Sequence, residues 1–398
     1  MTFSRIQEQA IWAVDQWLNA VESPQVFYLG GYAGTGKTTL AITLAQNVLG
    51  RVFFATYTGK AAHVMRSKGC PNASTIHQLI YHPRGKDPRH FIELQKALEA
   101  APAEDSALRS EIEKEIAEEK KKLRRPSFGL NEESDLRHGK LLIIDECSMV
   151  DERIGQDLLS FGVKVLVLGD PAQLPPVRGE GFFTSRPPDL MLTEIHRQAA
   201  ESPIIRMASG IREGRGLPPG DYGSGCLVGS HDELFSKTLA RSMDQCITGR
   251  NATRKNYNTN YRKNILGIDD PLPVKGDRVV CLRNNHDVGI LNGQLWAVED
   301  TAPSEGASPL ELILTADSMD PKSLRIHREP FLGQDVPFWD KKSAEEFDYG
   351  YALTAHKAQG SQWPSVLVFD ESRCFKENAD RWLYTAVTRA AERVVVLR

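Results

Sequence analysis

A chain of 398 residues with 49 Lys and Arg against 52 Asp and Glu carries a formal net charge of −3. With 41% hydrophobic and 25% charged residues its composition is that of a globular protein, which excludes disorder, collagen and coiled-coil rods; the length suits about two to three domains, each large enough for its own core. A near-neutral total neither announces nor excludes nucleic acid, because binding needs only a local basic surface.

No apolar run approaches the roughly 18 residues of a membrane span. The opening stretch lacks the basic and apolar regions of a secretory signal, so no membrane contact and a cytoplasmic location are expected. Six scattered cysteines without a CxxC, and ten histidines without an HExxH, predict reduced thiols rather than disulfides or zinc.

In chain order, short apolar runs each end in a loop. Val26-Phe27-Tyr28-Leu29 precedes Gly30-Gly31 and a helical stretch from Lys37 to about Leu49. Val52-Phe53-Phe54-Ala55 precedes Thr56-Tyr57-Thr58-Gly59, Leu141-Leu142-Ile143-Ile144 runs into Asp145-Glu146, and 163–168 runs into Gly169-Asp170. Continuous apolar strands of this kind predict an α/β fold, its parallel sheet covered on both faces and its function gathered at the strand C-termini. Residues 78–138 interrupt the pattern with charge. Phe91, Leu94 and Leu98, then Leu108, Ile112, Ile116 and Leu123, keep helical spacing around a break near Pro102, which predicts a helical hairpin with a thin apolar stripe. Its second arm passes from Glu-rich (Glu111 to Glu119) to basic (Lys120, Lys121, Lys122, Arg124, Arg125), as suits the helix dipole. It reads as a solvated face or as a DNA-touching arm. A second α/β region spans 191–273 and resumes near 347, with strands at 366–369 and 394–397. Between them 274–346, rich in Gly and Pro, has strand-like runs at 277–282, 294–299 and 310–314 and reads as a small inserted β-module.

Gly31-Tyr32-Ala33-Gly34-Thr35-Gly36-Lys37-Thr38 has the G-x-x-x-x-G-K-[ST] spacing of a phosphate-binding loop, with a strand before it and a helix after it. Its glycines let backbone amides turn inward as an anion nest. Gly34, Thr35, Gly36, Lys37, Thr38 and Thr39 are expected to hold ATP, Lys37 reaching the β- and γ-phosphates and the Thr38 hydroxyl ligating Mg²⁺. Ile143-Ile144-Asp145-Glu146, an apolar strand ending in an acidic pair, supplies the other half. Asp145 is expected to hold Mg²⁺ through water, and Glu146 to orient and deprotonate the attacking water. Together they imply ATP hydrolysis.

Further motifs follow in a fixed order, and together they resemble the superfamily 1B helicases, the RecD-like and Dda-like group. Ile6-Gln7-Glu8-Gln9-Ala10 is similar to the N-terminal glutamine motif. Thr56-Tyr57-Thr58-Gly59-Lys60-Ala61-Ala62 is similar to motif Ia, with Tyr57 where the family usually has Pro, and Ser74-Thr75-Ile76-His77 to motif Ib. Gly169-Asp170-Pro171-Ala172-Gln173-Leu174-Pro175-Pro176 resembles motif III. Leu192-Thr193-Glu194-Ile195-His196-Arg197-Gln198 resembles motif IV, with His196 in place of the usual aromatic residue. Leu353-Thr354-Ala355-His356-Lys357-Ala358-Gln359-Gly360 resembles motif V and Tyr384-Thr385-Ala386-Val387-Thr388-Arg389-Ala390 motif VI. Gly276-Asp277-Arg278-Val279 and Asn292-Gly293 resemble the start of the family's β-module. The resemblance covers nearly the whole chain outside 78–138, where the family often carries a short β-hairpin pin and this chain has a charged helical arm.

The resemblance implies an α/β fold of two RecA-like P-loop domains: 1A at 1–77 and 139–190, and 2A at 191–273 and 347–398. A helical insertion 1B occupies 78–138 and a small SH3-like β insertion 2B occupies 274–346. It implies ATP in the cleft between the domains, with Gln9 reading adenine, Gln173 sensing the γ-phosphate, and Arg197 and Arg389 as arginine fingers; the alternative for either arginine is a surface salt bridge. Single-stranded DNA and ss/dsDNA junctions would be held by Thr58, Lys60, Thr75, His77, Thr354, His356 and Lys357. For His77 and His356 the alternative is a neutral ring bonded inside its own domain. The implied activity is that of a 5′→3′ DNA helicase acting as a monomer, with replication or repair proteins as partners. A translocase that does not unwind and an ATP-gated binding switch are the competing readings.

Overall fold

A computed structural model describes residues 3–70, 72–83, 89–102, 105–124, 128–176, 179–194, 201–285, 287–301, 309–316, 319–337 and 340–398. The chain enters through α1 (Arg5–Asn19), started by a capping box in which Ser4 and Gln7 bond each other's backbone amides, and burying Ala10, Val14, Trp17 and Leu18 at helical spacing. There follow β1 (Val26–Gly31), α2 (Lys37–Gln46), β2 (Val52–Thr56), α3 (Gly59–Ser67), β3 (Ser74–Thr75) and α4 (Ile76–Ile80). β4 (Tyr81–Pro83), α5 (Arg89–Ala100), α6 (Ser106–Arg124) and β5 (Phe128–Leu130) make an excursion before β6 (Leu141–Asp145), α7 (Glu152–Leu159), β7 (Lys164–Gly169) and β8 (Leu190–Leu192).

Among the described residues six of these strands form one parallel sheet, ordered β3-β2-β6-β7-β1-β8. Alternate residues of its central strands dry opposite faces. Tyr28, Leu142, Ile144, Val165 and Val167 pack on one side with α4 and α7; Phe27, Leu29, Leu141, Ile143, Leu166 and Leu168 pack on the other with α1 and α2. The order sets the ends of β6, β7 and β1 side by side, so that Asp145, Asp170 and the loop after Gly31 share one edge. β8 bonds to β1 from Leu29↔Leu190 to Gly31↔Leu192. The expected division between 190 and 191 thus falls inside a strand of the first sheet, which must close its ladder before the chain leaves.

In the excursion, α5 and α6 pack together, and Arg109 donates to the Leu98 and Ala101 carbonyls at the end of α5 (3.2 and 2.9 Å). Its root is an antiparallel ribbon of β4 and β5. The basic side chains from 120 to 125 lie outside the described residues.

The second half runs through α8 (Pro203–Arg212), β9 (Gly220–Gly223), β10 (Cys226–Gly229), β11 (Gln245–Thr248) and α9 (Asn251–Asn260). A module of β12 (Arg278–Cys281), β13 (Leu295–Thr301), β14 (Leu310–Thr315), β15 (Lys322–Ile326) and β16 (Phe347–Tyr349) follows. The chain ends in β17 (Ala352–Thr354), α10 (Ala355–Ala358), β18 (Trp363–Phe369), α11 (Ala379–Val387) and β19 (Ala390–Leu397). The second sheet, β17-β11-β18-β19-β10-β9, is parallel except at its β9 edge, whereas the module is an antiparallel sheet, β15-β14-β13-β12-β16. One face of the second sheet packs against α8 and α11. Its other face shares a single core with the module, where Cys246, Leu367 and Val395 meet Trp296, Val298 and Leu314. All six cysteines carry free thiols. Among the described residues no helix is long and apolar enough to cross a membrane.

Candidate nucleotide site and nucleic-acid edge

After β1 the backbone turns through Gly34 and Gly36 at φ +81 and +77, a left-handed region that glycine enters without strain. α2 then begins with no side-chain cap, which leaves its first amides for an anion. Lys37 Nζ is folded onto the loop, donating to the Gly31 and Tyr32 carbonyls (2.5 and 3.0 Å), and the Thr35 hydroxyl donates to Tyr32 O (2.8 Å). Thr39 is exposed on α2. Thr38 Oγ1 donates to Asp145 Oδ2 at 2.8 Å. A hydroxyl and a carboxylate meeting at a strand end are hard oxygen donors, a set that fits Mg²⁺, which takes few protein ligands and completes its shell with phosphate and water.

Glu146 sits just past β6 at φ +56, a rare conformation for a residue other than glycine. Burial pushes its carboxyl above the ordinary range; Arg389 is the cation that offsets this most, Asp145 adds to the rise, Lys37 opposes it, and Asp170 adds again. Gln173 is 6% exposed, and its Oε1 has no partner among the described residues. An orphaned buried acceptor next to an anion cradle is what a group awaiting a ligand looks like. Arg389, also 6% exposed, donates to Thr385 O (3.0 Å), Ser361 O (3.2 Å) and Thr388 Oγ1 (3.2 Å), which fixes the guanidinium while it acts on Glu146. Arg197 lies outside the described residues.

The two halves meet along a polar seam. The Tyr384 hydroxyl accepts the Ala33 amide of the phosphate loop (3.1 Å) and donates to Asp170 Oδ2 (2.7 Å). Thr385 Oγ1 accepts the Leu174 amide (2.9 Å), and Gln359 Nε2 donates to Leu174 O (2.9 Å). The Arg212 guanidinium lies 3.7 Å from the centre of the Tyr32 ring, and Lys60 Nζ lies 4.5 Å from that of Trp363.

Gln9 is exposed on α1. Its neighbour in the motif, Gln7, is buried and donates from Nε2 to Thr35 O at 3.1 Å while its Oε1 accepts the Ser4 amide. Residues two apart on a helix point to different sides, so of the two glutamines it is Gln7, and not the expected Gln9, that faces the phosphate loop. The capping-box spacing from Ser4 to Gln7 was the signal for it.

On the same edge three threonines begin short helices. Thr58, Thr75 and Thr354 cap α3, α4 and α10, each hydroxyl accepting a backbone amide (Ala61 at 3.2 Å, Gln78 at 3.1 Å, Lys357 at 3.4 Å). A capping hydroxyl keeps its own proton, so each can still donate to a phosphate beside the helix N-terminus. Gly360, at φ +71, passes so close to Ala61 that a Cβ there would stand 3.0 Å from the Ala61 Cβ; motifs Ia and V touch across the seam. His77 is ringed by Tyr57, Tyr81 and Phe128, with centroids 6.1, 5.4 and 5.3 Å away, and burial lowers its pKa against the pull of Asp151. His356 packs on Phe375, which stacks on Trp382, and burial lowers its pKa too. In both rings burial favours the neutral form. Lys357 reaches the surface, its pKa lowered by desolvation and then by Arg254.

Residues 8–218, just over half of the chain, match the family model described as an AAA domain, and 349–397 match the UvrD-like helicase C-terminal domain. The chain belongs to the family of that AAA domain. It is 29% identical to the ATP-dependent RecD2 DNA helicase of Deinococcus radiodurans over 94% of this chain and 47% of that one. It is 31% identical to uncharacterized protein R530 of Acanthamoeba polyphaga mimivirus over 38% of this chain and 29% of that one. The chain thus spans half or less of the length of these curated relatives. Its fold is similar to Bacteroides Pif1 bound to ssDNA (TM-score 0.54, 17% identity, 99% and 92% of the two chains) and to Pif1 helicase from Candida albicans (TM-score 0.53, 19% identity, 100% and 94%). The phosphate loop and the Asp145 edge both fall within the residues that match the AAA domain.

Proposed function

We propose that this chain is an ATP-driven 5′→3′ DNA helicase whose cleft hydrolyses ATP as it steps along single-stranded DNA. One observation carries the reading: the phosphate loop is met across the seam by the helix that leads to Arg389, Tyr384 bonding both Ala33 N and Asp170 beside the Thr38–Asp145 pair. A binding switch needs a phosphate cradle alone; a cradle completed by the other half of the chain is the equipment of turnover.

In this reading the loop amides and Lys37 hold the β- and γ-phosphates, Lys37 exchanging the Gly31 and Tyr32 carbonyls for phosphate oxygens. Thr38 and Asp145 would hold Mg²⁺, which would supply positive charge to offset that of the phosphates. Gln173 orients the γ-phosphate, Glu146 takes a proton from the attacking water, and Arg389 and Arg197 stabilise the developing charge. Loss of the γ-phosphate weakens the join between the halves, and their shift moves the strand held by Thr58, Lys60, Thr75, His77, Thr354, His356 and Lys357. The domains are 1A (about 1–77 and 139–192), 1B (78–138), 2A (193–273 and 347–398) and 2B (274–346), the first boundary following β8. The protein acts in the cytoplasm, as a monomer, on tailed duplexes. A translocase without strand separation is the second reading, favoured by the paired helices α5 and α6 where a short pin would stand.

The decisive experiment compares ATP turnover with and without single-stranded DNA, then unwinding of 5′- and 3′-tailed forks. Turnover is expected to rise with DNA, and the 5′-tailed fork to open. Lys37→Ala should abolish turnover; hydrolysis at the parent rate in that variant would exclude the site, and a rate indifferent to DNA would exclude the motor.

A further inference from the structure

We propose that Tyr384 is a positioning residue for hydrolysis, its hydroxyl setting the phosphate loop, the Gln173 loop and Arg389 in one arrangement. The proposal rests on the reading of the cleft as an ATPase. Tyr384 is 1% exposed, and a buried phenol can accept one hydrogen bond while donating another. Here it does both across the seam, accepting from Ala33 N and donating to Asp170 Oδ2.

Each partner leads to a different part of the site. Ala33 lies in the loop whose carbonyls at Gly31 and Tyr32 now hold Lys37. Asp170 accepts the Ala172 amide through Oδ1 (3.0 Å), while its carbonyl accepts the Gln173 amide (3.1 Å), so its carboxylate shapes the turn that presents Gln173. Tyr384 itself belongs to α11, which ends just before Arg389; Arg389 Nε is bonded to Thr385 O on that helix. The Thr385 hydroxyl clamps the same turn at Leu174. Without the phenolic oxygen, one amide and one carboxylate oxygen would lose their shared partner while the ring kept its place in the core with Val387 and Trp382. The Gln173 turn and the helix leading to Arg389 would then be free to shift against the phosphate loop.

Tyr384→Phe removes the oxygen alone. With saturating ATP, Mg²⁺ and single-stranded DNA its kcat is expected to fall about ten- to a hundredfold, as removal of one shared partner from a buried network predicts. Its KM for ATP and its affinity for a fluorescent ADP analogue should stay within about twofold, because the uncapped first amides of α2 and Lys37 make no bond to Tyr384. Asp170→Asn should also lower kcat, and the double variant should be no slower than the slower single one, since both cut the same link. A parent that turns over ATP beside a Tyr384→Phe variant of equal kcat overturns the proposal alone. So does a kcat loss in Tyr384→Phe that multiplies with that of Asp170→Asn, or one matched by an equal loss of ADP-analogue affinity. A parent without ATP turnover overturns the ATPase reading and the proposal with it.

Discussion

Both ends of the Gln7 amide are engaged, Oε1 by the Ser4 amide and Nε2 by the Thr35 carbonyl, so a base that reaches it must take over one of these bonds. Gln7→Ala is expected to weaken ATP binding about three- to tenfold, the worth of one hydrogen bond, and to leave GTP binding unchanged. Gln9→Ala should do neither; competition titrations of the two nucleotides against both variants decide it, and a larger effect at Gln9 would restore the first assignment. Residues of this kind differ in how plainly the chain announces them. The phosphate loop and the Asp145-Glu146 pair are legible because their chemistry is contiguous. Gln7 and Gln9 sit two apart in one motif, and helix register alone separates them. Tyr384 opens motif VI, but nothing local gives its part in the seam, for its partners Ala33 and Asp170 belong to the other half of the molecule.

At the scale of elements, α9 shows a helix start that no nearby residue explains. It begins after Arg250 without a side-chain cap of its own. Its cap is Glu371, whose carboxylate accepts the Gly249 and Arg250 amides (2.8 and 2.9 Å), Arg250 Nε and the Thr253 hydroxyl (both 2.6 Å). Burial works against the charged form, but these bonds outweigh it and hold Glu371 below the usual carboxylate range. A depressed pKa contributes stability that is fully present above the unfolded value of about 4.3 and is lost as pH falls from there through the lower folded value. Glu371→Gln should therefore cost about 1–3 kcal/mol at pH 7 and progressively less below about pH 4. Thermal melts of both proteins across that range measure it, and a pH-independent difference would rule out the charged cap. The long apolar strands and the two charged helices were readable from periodicity. The short β8, β10, β11 and β17 were not, because three or four residues carry no period. Nor was the β4–β5 ribbon, whose pairing is set by the ends of an excursion.

For the whole molecule, two α/β halves follow from the pattern, yet the core shared by the second sheet and the β-module does not, since its contacts span the entire second half. Charge is likewise a property of the whole. With burial favouring the neutral form of His77 and His356, the cations expected at the nucleic-acid edge are Lys60 and Lys357. Two phosphate contacts to a single strand predict a log–log salt slope of only about −1.4. Titrating a fluorescent oligonucleotide at several salt concentrations measures it. A slope steeper than about −3 would require further cations and point to the basic run from Lys120 to Arg125.

The indole of Trp363 lies under an ammonium that belongs to the opposite half of the chain. A charge so near an excited ring alters the colour and yield of its emission. Parting the two would take that charge away, and a protein keeping this tryptophan alone would signal each opening by its own light, without an attached dye.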